Sequence, residues 1–110
     1  MSKEEYERLE WQASGFAGLV LVPPDMLAEE FEPQAEWARG IVSDKVPAGF
    51  DRQKVFNLAL TKIAERLSPV FGVHPLTVGI RLVGDNHARD LAIKLFGSCD
   101  GLETRYPNPA

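Results

Sequence analysis

Asp51-Arg52-Gln53-Lys54-Val55-Phe56-Asn57-Leu58-Ala59-Leu60-Thr61-Lys62-Ile63-Ala64-Glu65-Arg66-Leu67 is the most strongly apolar helix-like stretch of this 110-residue chain. Phe56, Leu60, Ile63 and Leu67 recur at steps of four and three, the period of one helix face. Val55, Leu58, Ala59 and Ala64 broaden that stripe beyond what a surface helix needs, so the segment reads as the central helix of a bundle. Asp51 stands where a capping carboxylate can accept from backbone N–H groups that the first turn leaves without partners.

Outward from this helix the pattern stays helical. Downstream, Ser68-Pro69 interrupts or restarts the period, Phe71-Gly72-Val73 reads as a tight turn, and Pro75 suits the first position of a helix holding Leu76, Val78 and Leu82. His74 reads as a cap or turn residue. Asp85-Asn86 can cap a last helix through Phe96, with Leu91, Ala92, Leu95 and Phe96 turned inward and His87 in its first turn. Upstream, Ser43 to Phe50 contains Asp44, Pro47 and Gly49 without periodicity and reads as the principal loop. Asp25 can cap a short helix through Phe31, and Glu32-Pro33 permits another running through Trp37 to about Ile41. Ser2 and Glu5 have the spacing of a capping box, opening a helix over residues 3–22 that Pro23-Pro24 ends.

The expected fold is therefore all-α: a compact bundle of about five to six helices with a helix-turn-helix-like segment. Residues 1–96 form a single helical domain, and residues 97–110, rich in Gly, Pro and polar residues, form a flexible tail.

Composition narrows the function classes. Apolar residues make up 45% and charged residues 25% of the chain, close to globular averages. No apolar run approaches the roughly 20 residues that span a bilayer, and the acidic start is unlike a signal segment, so a cytoplasmic location is expected. Cys99 is the single cysteine and has no partner for an intrachain disulfide. Residues 1–50 carry four Lys/Arg against ten Asp/Glu, and residues 51–110 carry eight against six, giving −6 and +2. Such a balance argues against a partner held through phosphate neutralisation.

One stretch carries a more specific signal: Glu10-Trp11-Gln12-Ala13-Ser14-Gly15-Phe16-Ala17-Gly18-Leu19-Val20-Leu21-Val22-Pro23. It resembles the ImmA/IrrE-type zinc metallopeptidases, in which E-x-x-A-N-x-F-A-x-x-L-L-M-P follows an H-E-x-x-H helix. Glu10, Ala13, Phe16, Ala17, Leu21 and Pro23 match, while Ser14 replaces the family Asn and Val22 the Met. By this resemblance Glu10 corresponds to the third zinc ligand. The other two ligands are the His pair of H-E-x-x-H, whose Glu is the general base, and three protein ligands leave one position open for the attacking water.

This chain has neither that motif nor a substitute, because His74 and His87 are its only histidines and stand thirteen apart. A His pair sharing one helix face needs four-residue spacing. No catalytic residue and no bound cofactor are therefore expected, with zinc entering only if a partner chain supplies H-E-x-x-H. The resemblance then implies a truncated or degenerate peptidase domain that acts in protein association, or half of a split zinc site.

The segment Leu67-Ser68-Pro69-Val70-Phe71-Gly72-Val73-His74-Pro75-Leu76-Thr77-Val78-Gly79-Ile80-Arg81-Leu82 has helix-turn-helix spacing, with Gly at the turn. It is similar to A-x-x-F-x-V-S-x-x-A-x-x-R-L, found downstream in the same family. The alternative function is thus a small helix-turn-helix DNA-binding regulator in which Thr77 and Arg81 meet base edges. Packing is the simpler role, since the segment lacks the charge for phosphate contacts. Trp11 and Trp37 read as core or interface anchors. Loss of a covering H-E-x-x-H helix would leave apolar surface around Phe16, Val20 and Leu21, so a protein partner or a homodimer is expected.

Overall fold

A computed structural model describes residues 22–47 and 49–107. Among them are four α-helices and no strand: α1 (Pro24–Lys45), α2 (Arg52–Phe71), α3 (Pro75–Gly84) and α4 (His87–Phe96). Of the further helix read over residues 3–22, Val22 lies in a bend just before the Pro23 cap, and the remainder falls outside the described residues.

α2 begins as its sequence dictates. The Asp51 carboxylate accepts from the N–H groups of Gln53 and Lys54 at 3.0 and 3.4 Å. Phe56, Leu60, Ile63 and Leu67 are fully buried, and α2 packs against each of the other three helices. Pro69 does not interrupt it. Pro69 stands in the last turn and is exposed, so water can reach the carbonyl its missing N–H leaves free. α2 ends two residues later, at Phe71, and Gly72 caps it with a φ of 67°, left-handed backbone that glycine adopts without a Cβ clash. The Ser68 hydroxyl donates to the Val73 carbonyl and closes the turn.

α3 starts at Pro75, and His74 caps it by accepting from Leu76 N–H through Nδ1 at 3.1 Å. Between α2 and α3 the chain axis turns by 111°, within the range of a helix-turn-helix pair. Asn86 takes the N-cap position of α4 at φ 65°, a conformation Asn tolerates, yet its side chain makes no capping bond.

α1 corrects the expectation of two short helices. Asp25 lies in its first turn, Pro23 is the cap, and the helix continues through Pro33 to Lys45, leaving a shorter loop than Ser43 to Phe50. Leu27, Phe31, Ala35 and Ala38 form one unbroken buried stripe on both sides of Pro33. Pro33 costs about 3 kcal/mol as an interior residue. Because it is exposed, its defect faces water and never touches the stripe, whose burial outweighs it.

The core joins that stripe to Val22, the α2 residues, Val78 and Leu82 of α3, and Ala88, Leu91 and Ala92 of α4. Lys94 of α4 bridges to Glu32 and Glu36 of α1, which it holds at 2.9 Å in the second case. Beyond Gly97 the chain has no helix among the described residues and returns across α2. Gln53 donates to the Glu103 carbonyl and accepts from its N–H, and Arg52 donates to the Ser98 carbonyl with its guanidinium 4.9 Å from the Phe96 ring. Tyr106 lies on Gly79 so closely that a Cβ there would enter its ring. Among the described residues no single helix is long and apolar enough to cross a membrane.

Candidate functional site

Glu10, the ligand position implied by family resemblance, lies outside the described residues. Thr77 and Arg81 sit on α3 and are only 4% and 7% exposed. Arg81 forms a two-pronged pair with Asp85, at 3.0 and 3.2 Å, and also donates to the Val22 carbonyl at 3.2 Å. Its fork is turned inward, so neither residue is presented to a base edge in this arrangement. His74 is engaged as a cap and His87 packs 4.9 Å from the Phe31 ring. Among the described residues no three His, Cys, Asp or Glu side chains gather where one ion could sit.

The Arg81 contact nonetheless connects the two stretches that carry the family resemblance. Val22 is the next-to-last residue of the first, and Arg81 stands in the second, 59 residues later. Charge-assisted bonds of this kind are stronger than neutral ones, so the link fixes where the chain enters the domain.

An open feature among the described residues lies at the far end of α1, beside the first half of α2. There the two helices part and leave a groove of about 250 Å3 whose floor and walls are almost wholly carbon. Trp37, Ile41, Val42 and Val46 line it from α1 and the residue after it, with Phe50 and Leu58 opposite. Phe50 is 51% and Leu58 61% exposed. Arg66 covers the outer face of Trp37, 4.0 Å from the ring, and is held there by Gln34 Oε1 at 2.6 Å. α1 itself contributes no fully buried residue beyond Ala38 although it runs on to Lys45.

Leu58 was expected to widen the buried stripe, and its exposure corrects that expectation. At about 100° per residue it falls roughly opposite Phe56, so helix geometry alone identifies it as an outward side chain. It occupies the middle of a row spaced four apart: Lys54, Leu58, Lys62 and Arg66. The row is basic except for its apolar member. Lys62 pairs with Glu65 at 3.4 Å on the exposed surface.

Among the described residues no polar group converges on the groove in the way a nucleophile, general base or metal would require. An apolar concavity with a charged rim instead fits the side chains of another polypeptide. Comparison with family models, curated proteins and solved structures finds no match to this chain.

Proposed function

We propose that this chain is a non-catalytic domain of the ImmA/IrrE peptidase type that acts through protein association. The reading includes a fifth helix over residues 3–22, carrying Glu10 as a third zinc ligand usable only beside a chain that brings H-E-x-x-H. Its main support is the exposed groove between α1 and α2. Covering a side chain such as Phe50 or Leu58 yields about 1–2 kcal/mol each, so this end of the molecule has free energy to gain from a partner. A homodimer is one form of such association. The Arg81 link to Val22 adds support, since it would hold an incoming Glu10 helix in a fixed relation to the domain.

The helix-turn-helix alternative draws on the 111° angle between α2 and α3. Burial of Thr77 and Arg81 and the net charge of −4 weigh against it. Titration with zinc tests the preferred reading: no stoichiometric uptake by the chain alone, and uptake once a polypeptide carrying the H-E-x-x-H helix is added. Stoichiometric zinc together with peptide hydrolysis by this chain alone would overturn it.

A further inference from the structure

We infer that the groove between α1 and α2 receives an acidic amphipathic helix from a different polypeptide. The inference rests on the association reading and adds the chemistry of the partner. From Trp37 of α1 to Val46 just after it the wall covers nine residue steps, roughly 14 Å, which is the length of two to three helical turns. That length admits one apolar face with anchors at i, i+3 or i+4, and i+7. Trp37, Phe50 and Leu58 offer aromatic and branched surface for those anchors.

Charge selects the occupant. Lys54 and Lys62 line the groove on either side of Leu58, one turn away in each direction, and Arg66 continues the row past Trp37. The described residues that line the groove include these two lysines and no carboxylate; Asp51 keeps its charge while capping α2, Glu65 pairs with Lys62 on the exposed surface, and Lys54 is the lining ammonium left for a partner's carboxylate. A helix with Glu or Asp flanking its apolar stripe would meet these ammonium groups along its length. Two copies of this chain docked groove to groove about a two-fold axis would instead bring two Lys rows together.

The test uses the full chain and a fluorescent synthetic helix of about fourteen residues, four turns long, with Leu on one face and Glu on both flanks. A second peptide replaces every Glu with Lys. At low salt the Glu peptide binds about tenfold or more tighter than the Lys peptide, and the difference shrinks towards 1 M salt as the Debye length falls to about 3 Å. Leu58→Asp, at a position 61% exposed and therefore compatible with the fold, abolishes binding of the Glu peptide while the helical circular dichroism is retained. The double variant Lys54→Glu with Lys62→Glu reverses the preference.

Equal binding of both peptides would overturn the choice of an acidic partner and leave the association reading standing. Binding of neither would remove the groove as an interface and with it the main support for that reading. A dimer in light scattering that Leu58→Asp dissolves would transfer the groove to a second copy and overturn the proposal. Phosphatidylserine vesicles that bind the chain and lose it on Leu58→Asp would overturn it in favour of lipid.

Discussion

α1 and α2 meet twice, and the two meetings differ in kind. Over the first half of α1, Leu27, Phe31, Ala35 and Ala38 are sealed against the rest of the core, where Phe56, Leu60 and Ile63 of α2 are fully buried. Over the second half, Ile41, Val42 and Val46 stand apart from Leu58 and Phe50, and water reaches what the same two helices enclose elsewhere. The same kinds of residue therefore do different things by position. At the closed end apolar area has already been removed from water, and at the open end that gain is still available to a binding partner.

Truncation on each face of α2 sharpens this contrast most. Phe56→Ala on the closed face of α2 should destabilise the domain by about 3–5 kcal/mol, and Leu58→Ala on its open face should change stability by no more than about 0.5 kcal/mol. Urea unfolding followed by circular dichroism measures both. Similar losses for the two would break the comparison. Next in size, Arg81→Ala leaves the Val22 carbonyl and Asp85 without their donor, a loss of about 1–3 kcal/mol for a buried polar contact. The same unfolding experiment reads it.

Gly79→Ala should be smaller in global effect, because alanine's better helix propensity, worth about 1 kcal/mol, offsets the displaced Tyr106 ring. Its signature is local: limited chymotrypsin digestion should release the segment after Gly97 faster than in the wild type.

The smallest effects are those of pH. Hydrogen bonds that Lys94 donates to Glu32 and Glu36 raise its pKa, and acceptance of the Lys94 bond lowers that of Glu36. Burial, then the charge of Glu65, raises the Tyr106 pKa against the opposing bond with Thr61. A lowered carboxyl contributes stability above its ordinary value of 4.5 and loses it as the pH falls through the depressed folded value. The raised Lys94 and Tyr106 contribute fully below 10.5 and 10.0 and lose their contributions as the pH rises through their folded values. The melting temperature should therefore hold a plateau between these limits and fall slightly outside both, with Lys94→Met flattening part of the alkaline fall.

Where local chemistry decides, the sequence was legible. The four-and-three spacing of Phe56 to Leu67, the Asp51 cap, the Gly72 turn and the His74-Pro75 start all act within a few residues, and each stands in the structure as expected. Pro33 was misleading because a local cost of one missing hydrogen bond was set against four buried side chains, a balance known only once α1 meets its neighbours. The groove was harder to see for the same reason. The outward position of Leu58 follows from helix angle alone, but the groove also needs Trp37, Ile41 and Val42 of α1 brought beside it, a tertiary placement that no local spacing encodes. Glu10 was readable as a motif and lies outside the described residues.

The bond from Arg81 reaches a main-chain oxygen, and a main-chain oxygen is common to every amino acid. Replacement of the side chain at position 22 therefore alters packing without erasing this tether. Replacement of Arg81 by lysine would keep the charge but lose the planar fork that grasps Asp85 and the carbonyl together. The tether is thus far more sensitive to substitution on α3, at Arg81, than at position 22, the point it holds.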